Sequence, residues 1–235
     1  MGSTSGSFFA FLSAAESALP VYPHQYDALM VTASVLLAVF ASYCAFEIAS
    51  RRLGHWKLSS ALMLGLGTWS MHFMGMLALR LQGEVNYEPV LTVLSVLPAI
   101  AAAALAIHMV SGPIPNLRTL AISGTIIGAG IGLMHYSGMA ALRLTGAVRY
   151  EIGLFLLSVA CAVVFAIAAL MINRWLRRHT RHNGSIASLA GGTTMGLAIS
   201  AMHYVAMSAA HFVAPAGISP VPANARSEEH TSQLQ

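Results

Sequence analysis

Three short stretches of the chain place a histidine directly after one methionine and four residues before another. They read WSMHFMGMLALRL at 69–81, GLMHYSGMAALRL at 132–144 and SAMHYVAMSAAHF at 200–212. Residues four apart lie on one face of an α-helix, so the imidazole and the second thioether of each stretch can approach the same point. Imidazole and thioether together suit copper, and Cu(I) in particular. The three stretches therefore predict a copper site.

The predicted metal ligands are three histidines and six methionines. They are His72, His135 and His203, then Met71, Met134 and Met202 directly before them, and Met76, Met139 and Met207 four residues after them. One such histidine is often only a hydrogen-bonded packing residue, and methionine ordinarily fills gaps in a core. Three copies favour a site, because polar groups inside a bilayer are costly and usually mark a function.

Two tyrosines and three acidic residues recur with the motif. Tyr136 and Tyr204 follow their histidines directly, and Asp27, Glu88 and Glu151 precede the first helix of each repeat. We expect the carboxylates to interact with the positive ends of those helices. The alternative is that these acids, or the tyrosines, contact the histidines and orient them for the metal.

Membrane helices must position these residues. The chain has 235 residues, of which 57% are hydrophobic and 9% charged, whereas soluble domains carry roughly 25% charged residues. Six apolar runs are each long enough to span a bilayer as a helix of roughly 20 residues. They fall at 28–49, 58–80, 90–110, 119–142, 152–173 and 187–212. The sequence therefore predicts an all-α membrane protein, a polytopic bundle of six helices embedded in the lipid bilayer.

The basic residues of the connections predict the orientation. Eight lie on one side, at Arg51, Arg52, Lys57, Arg118, Arg174, Arg177, Arg178 and Arg181, and three lie on the other, at Arg80, Arg143 and Arg149. The positive-inside rule places the eight in the cytoplasm, the N-terminus outside and the three motifs near the outer leaflet. Because topology accounts for this charge, we expect no nucleic-acid partner. The sequence leaves self-association into a homodimer open.

An internal repeat organises the six helices into three hairpins, at about 26–81, 87–144 and 150–212. Tyr26, Tyr87 and Tyr150 open the repeats at offsets of 61 and 63 residues, followed in register by SVLLA at 34, SVLPA at 95 and SVACA at 158. Glycines also align, at Gly65, Gly128 and Gly196. Small residues at such positions let membrane helices approach closely, and we predict that role for them.

The two ends of the chain differ from the hairpins. Residues 1–23 lack the basic start of a secretory signal and are expected to form a leader on the outer face. APAGISPVPANA, at 214–225, is expected to be an outer loop before a seventh helix that lies beyond this sequence. RSEEHTSQLQ, at 226–235, closely resembles the translation of a sequencing-library adapter, and we expect this tail to be non-native.

The motifs resemble the MHYT domain family of bacterial integral membrane sensors. Its Met-His-Tyr signature stands at 134–136 and 202–204, with the variant Met-His-Phe at 71–73, and the resemblance covers residues 24–213. The fourth signature position, usually Thr, is Met74, Ser137 or Val205, so no role is assigned to it. The resemblance implies a seven-helix sensor of the bacterial inner membrane whose Met and His residues hold copper and sense oxygen, carbon monoxide or nitric oxide. Family members often continue into cytoplasmic domains that make or degrade cyclic di-GMP.

Three functions remain open at this stage. The leading hypothesis is a copper-containing sensor of a diatomic gas or of redox state. A haem-binding bundle for gas sensing or electron transfer is an alternative, because histidine and methionine are also axial ligands of haem. A copper-transport protein is the third, and it would require further Met or His steps toward the inner side. We expect no catalytic residues in this part of the protein.

Overall fold

The computed structural model describes residues 10–13, 20–52, 54–81, 85–110, 116–179 and 184–214. Its helices are α1 (Ala28–Arg51), α2 (Trp56–Ala78), α3 (Pro89–Leu94), α4 (Val96–Val110), α5 (Leu117–Ala140), α6 (Ile152–His179) and α7 (Gly184–Ser208). Helices α3 and α4 are interrupted only at Ser95 and together make one membrane-length span. Six helical spans are therefore long and apolar enough to cross a bilayer, which confirms the predicted six-helix membrane bundle.

Six short strands add to the helices and were not predicted. They are β1 (His24–Tyr26), β2 (Leu79–Leu81), β3 (Val85–Tyr87), β4 (Leu142–Leu144), β5 (Ala147–Tyr150) and β6 (Ala210–Val213). The predicted helices ending at 80, 142 and 212 end instead at 78, 140 and 208. The apolar character of the sequence continues into β2, β4 and β6, so hydropathy alone does not mark where each helix stops.

Each repeat is a strand–helix–helix–strand unit closed by its own antiparallel strand pair. Strand β1 pairs with β2, β3 with β4, and β5 with β6. Because the two helices of a unit run in opposite directions, all three pairs lie at one end of the bundle, which we call the strand end. We call the opposite end, where the connections carry most of the arginines, the basic end.

The six spans pack side by side in a closed ring, and three of them lie nearer its axis than the other three. Neighbours around the ring are α1, α2, α4, α5, α6 and α7, and α7 packs back on α1. Helices α2, α5 and α7 also contact one another across the centre. Their spans are 56%, 50% and 56% buried, against 28% for each of the other three. The second helix of every repeat is thus an inner helix, and the bundle has approximate threefold symmetry.

The aligned glycines bring inner and outer helices into close contact, as predicted. A Cβ added to Gly65 would lie 2.8 Å from the Cα of Ile100, and one added to Gly128 would lie 2.6 Å from the Cα of Val163. A Cβ added to Gly196 would lie closer still to the Cα of Val39. Because these three partners are also repeat-equivalent, the same contact joins α2 to α4, α5 to α6 and α7 to α1.

Part of the predicted leader lies on the strand end. The Leu12 N–H donates to the Tyr150 carbonyl at 3.0 Å, and the Tyr22 N–H donates to the Phe212 carbonyl at 2.8 Å. The segments 10–13 and 20–23 therefore extend the third strand pair. The predicted outer loop at 214–225, apart from Ala214, and the tail at 226–235 lie outside the described residues.

Candidate metal centre

The three motif histidines meet on the axis of the bundle. His72 lies on α2, His135 on α5 and His203 on α7, each five or six residues before its inner helix ends, which is about 8–9 Å from that end at 1.5 Å per residue. All three are buried, with 1%, 1% and 2% of their surface exposed. The repeat therefore converts three distant sequence positions into one cluster.

The Nδ1 atoms of the three rings form a nearly equilateral triangle. The Nδ1 of His72 lies 3.1 Å from that of His135 and 3.2 Å from that of His203, and the third side measures 3.3 Å. In an equilateral triangle the distance from the centre to each corner is the side length divided by √3, which is about 1.85 Å here. Bonds from histidine nitrogen to a metal such as zinc are about 2.0–2.1 Å long. The triangle is thus close to the size of a three-nitrogen metal site.

Hydrogen bonds between neutral imidazoles cannot satisfy this triangle. In a neutral ring Nδ1 is either an N–H donor or a lone-pair acceptor, and a hydrogen bond needs one of each. Three mutually adjacent atoms of two kinds always include one pair of the same kind, so at least one side sets two donors or two lone pairs against each other. A cation at the centre removes the conflict, because all three Nδ1 atoms can then be acceptors.

The other ring nitrogens are not part of the triangle. The Nε2 atoms of His72, His135 and His203 are all buried, and none has a hydrogen-bond partner among the described residues. With Nδ1 bound to a cation, each Nε2 would carry the proton. The donor set and the size of the Nδ1 triangle therefore fit a metal ion bound through Nδ1.

Half of the predicted methionines join the histidines in one pocket. Met71, Met134 and Met202 line it together with the three histidines and, one helical turn further from the strand end, Thr68, Ile131 and Ile199. The pocket has no room for a water molecule. Side chains on a helix lean toward its N-terminus. The methionines that precede each histidine therefore lie on the basic-end side of the plane of the Nδ1 triangle.

The other three predicted methionines lie elsewhere in the core. Met76, Met139 and Met207 are 2%, 2% and 1% exposed but are not among the residues that line the histidine pocket. Each stands one turn beyond its histidine toward the strand end. Their role as metal ligands stays a prediction.

The two tyrosines touch the histidines with their rings and bind outer helices with their hydroxyl groups. Their rings lie edge-on to the adjacent imidazoles, with centroids 4.9 Å and 4.8 Å apart. The Tyr136 hydroxyl lies 2.7 Å from Oγ of Ser158 on α6, and the Tyr204 hydroxyl lies 2.8 Å from Oγ of Ser34 on α1. The tyrosines therefore link the histidine layer to the outer ring of helices.

A tryptophan replaces this link in the first repeat. Phe73 has no hydroxyl group, and the equivalent serine, Ser95, accepts a hydrogen bond of 3.1 Å from Nε1 of Trp69. Ser34, Ser95 and Ser158 are the first residues of the three aligned SV segments. The sequence showed that these serines recur, but only the packing of the helices reveals that each is the partner of an aromatic side chain on an inner helix.

The three acidic residues cap helices, as expected. Asp27 accepts hydrogen bonds from the N–H groups of Leu29 and Met30 at the start of α1 and forms a 2.6 Å ion pair with Arg80. The Met30 N–H and the Arg80 guanidinium hold the pKa of Asp27 below its usual value. Glu88 and Glu151 likewise accept N–H groups at the starts of α3 and α6. The described hydrogen bonds of these carboxylates go to helix N–H groups and Arg80, and not to the triad of His72, His135 and His203.

One known family profile matches most of the chain. The sequence profile of the MHYT family, described as a bacterial signalling protein N-terminal repeat, matches residues 12–61, 65–123, 128–192 and 196–223. No solved structure is significantly similar.

Several curated bacterial signalling proteins are similar to this chain. The bifunctional diguanylate cyclase/cyclic di-GMP phosphodiesterase MucR of Pseudomonas aeruginosa is 37% identical over 189 residues, 77% of this chain and 27% of that protein. The cyclic di-GMP phosphodiesterase NbdA of the same organism is 34% identical over 198 residues, 82% of this chain and 25% of that protein. The signaling protein YkoW of Bacillus subtilis is 29% identical over 191 residues, 77% of this chain and 24% of that protein.

The chain thus spans about a quarter of the length of these relatives. The family profile covers most of it, and the six membrane-length helices among its described residues make it a multi-pass bacterial membrane protein. The chain belongs to the MHYT family of bacterial signalling proteins.

Proposed function

We propose that this domain is a membrane sensor that binds one copper ion, as Cu(I), through the Nδ1 atoms of His72, His135 and His203. The observation that carries the proposal is the Nδ1 triangle with sides of 3.1–3.3 Å. Three nitrogen atoms from three helices converge there. Their spacing suits metal coordination, and hydrogen bonds among neutral rings cannot pair all three of them.

The charge of the surroundings favours a monovalent ion. Three neutral imidazoles bring no negative charge, and the pocket residues beside them, Met71, Met134, Met202, Thr68, Ile131 and Ile199, bring none either. Burying an unpaired charge is expensive, and a divalent ion would leave twice the charge uncompensated. Thioether groups at the edge of the site also suit a soft ion. Cu(I) meets both conditions better than Zn²⁺ or Mg²⁺.

The apolar pocket supports sensing of a small molecule. Held by His72, His135 and His203, Cu(I) would supply a binding position for a small ligand such as oxygen, carbon monoxide or nitric oxide, or a one-electron couple for sensing redox state. Such a ligand would be sheltered from water on the basic-end side of the Nδ1 triangle, where the pocket is lined by Met71, Met134 and Met202. Because methionine is flexible, these side chains can give way to a diatomic ligand without moving the helices.

Tyr136 and Tyr204 provide a route from the site to the helices around it. Each follows a triad histidine in sequence and bonds a serine on an outer helix. A shift of His135 or His203 would therefore be felt by α6 or α1. By analogy with the relatives named for cyclic di-GMP activities, the signal would reach a cytoplasmic output domain beyond this sequence, with the strand end outside the cell and the domain itself acting without catalysis.

The geometry favours copper over haem. Two histidines that bind haem iron from opposite sides need a porphyrin between them, whereas the nitrogens here are 3.1–3.3 Å apart and the pocket cannot hold even a water molecule. A transport function gains no support from the pocket, because the residues below the triad are Thr68, Ile131 and Ile199. These side chains offer no next ligand for copper moving toward the basic end.

Metal analysis of the purified protein tests the proposal. Protein expressed with copper and a haem precursor, and purified in detergent, should contain about one copper per chain by mass spectrometry and show no Soret band. The triple variant His72→Ala, His135→Ala, His203→Ala should contain none. His108→Ala is the matched control, because His108 is a membrane-helix histidine near the basic end of α4, and it should keep the copper. Folded parent protein without copper would refute the proposal.

A further inference from the structure

Two glycines of the Met-His motif lie directly against imidazoles of the triad. A Cβ added to Gly138 on α5 would lie 2.5 Å from Nε2 of His72, and one added to Gly75 on α2 would lie closer still to Nε2 of His203. Ordinary contacts of a Cβ are 3.4–4 Å long. Each ring therefore occupies the space that a side chain at the glycine would fill.

This contact determines which way each ring faces. His72 reaches from α2 to α5, and His203 reaches from α7 to α2, so that each Nε2 edge rests on the backbone of the next inner helix. Both Nε2 atoms are buried without a hydrogen-bond partner among the described residues, while both Nδ1 atoms stand at the shared triangle. We call the contact of each ring with its glycine a seat. This seat leaves Nδ1, and not Nε2, facing the axis of the bundle.

We propose that Gly75 and Gly138 are positioning residues, which seat the imidazoles of His203 and His72 and thereby make Nδ1 the metal-binding nitrogen. The inference rests on the proposed copper site, but the seat itself is a property of the protein alone. A methyl group at Gly138 would push the His72 ring back by about 1 Å, whereas metal–ligand distances tolerate only about 0.2 Å. The ring would then no longer reach the ion.

The third repeat differs at this position. Ala206, which is fully buried, stands where the other two copies have Gly75 and Gly138. The seat is therefore not the same in all three repeats. The proposal therefore concerns Gly75 and Gly138 alone.

A double-mutant cycle on the metal-free protein tests the seat. Gly138→Ala should lower the apparent unfolding temperature in detergent by several degrees. Gly132→Ala is the matched control on the same helix, because its added Cβ would meet Met202 and Val159 at an ordinary 3.9 Å, and it should cause little change. In a His72→Ala background, Gly138→Ala should cause no further loss, because the atom that it would meet is gone.

The result that overturns the seat is an equal loss from Gly138→Ala in both backgrounds. Equal losses would mean that the glycine serves helix packing alone. If Gly138→Ala does not fold even with His72→Ala, that result also contradicts the proposal. The pair Gly75→Ala and His203→Ala repeats the cycle at the second seat and gives an independent reading.

Copper binding tests the consequence for the metal. In competition with a Cu(I) chelator, Gly138→Ala should weaken copper binding about 10–100-fold, the effect typical of residues that orient a ligand, while Gly132→Ala should not. Cu(I) is diamagnetic, so ¹⁵N NMR of histidine-labelled protein can show directly which ring nitrogen of His72 is bound. Binding through Nε2 would overturn the assignment. Failure of the parent to bind copper would instead refute the proposed function, and the metal-free cycle would still decide whether the seat exists.

Discussion

Replacing one histidine of the triad should remove the metal while leaving the fold nearly intact. His135→Ala deletes a fully buried imidazole, and large-to-small changes in a core cost about 2–5 kcal/mol. The same change also ends the conflict in the triangle. The Nδ1 atoms of His72 and His203, 3.2 Å apart, become a single pair in which one can donate and the other accept.

The gain from this new pairing offsets part of the cavity cost. Leaving a buried polar group unsatisfied costs about 1–3 kcal/mol, so the metal-free variant should be less stable than the parent by only about 1–3 kcal/mol. For a domain of this size, 1 kcal/mol corresponds to about 2–4 °C in unfolding temperature. We therefore expect a decrease of about 2–12 °C without metal.

Adding copper should increase the difference in unfolding temperature between the parent and the variant. An ion present at about 100 times its dissociation constant stabilises the folded state by about 2.7 kcal/mol, and only the parent should show this increase. The assay is thermal unfolding in detergent with and without Cu(I), together with the copper content. Arg178→Ala, at the end of α6, is the control and should behave as the parent. Copper retained by His135→Ala at the parental affinity would refute the shared three-histidine site.

Three further changes test other parts of the structure. Tyr204→Phe removes a hydroxyl bond to α1 and should cost about 0.5–1.5 kcal/mol in thermal unfolding while copper stays bound; loss of copper would mean that the hydroxyl orients the site. Gly128→Ala places a methyl group against the backbone of Val163 and should cost about 1–3 kcal/mol, and an unchanged unfolding temperature would contradict the close helix contact. Because the Met30 N–H and the Arg80 guanidinium lower the folded pKa of Asp27, these two contacts of its carboxylate should stabilise the fold above the ordinary pKa of an aspartate, about 4, and this stabilisation should disappear as pH falls through the lowered folded value. Asp27→Asn should therefore be less stable than the parent at neutral pH and equal to it in acid, and a difference that persists in acid would refute these contacts as its cause.

The sequence predicted the bundle and the histidines because both depend on composition and period. Apolar runs gave the six spans, and the repeat gave His72, His135 and His203 equal depth along equivalent helices. A group at equal depth on three inner helices of a threefold ring meets its copies at the axis. Which helices are inner follows from burial, and the glycine-bearing second helix of each repeat is the more buried one.

The remaining features depend on contacts between repeats, which the spacing along one helix does not reveal. The spacing grouped Met71 and Met76 alike with His72, but only the packing of the three inner helices shows that Met71 lines the histidine pocket. Gly138 was visible as part of a motif, yet its partner, His72, lies on another helix. The strand pairs were missed because β2, β4 and β6 continue the apolar runs, and each strand finds its partner about 55 to 65 residues away.

The way in which the symmetry is broken bears on what the site requires. Position by position, the repeats differ three residues before each histidine, at Trp69, Gly132 and Ser200, and this difference is tolerated because Trp69 bonds an outer helix. The repeats agree where three groups must act together, in the histidine layer on the axis. Without an ion, an even number of neutral imidazoles would pair its donors and acceptors better than three do. Replacing one of the three would also leave one donor facing one acceptor. Three identical rings in a closed triangle make physical sense when all three share one positive charge, and that is the reason to look for the ion first.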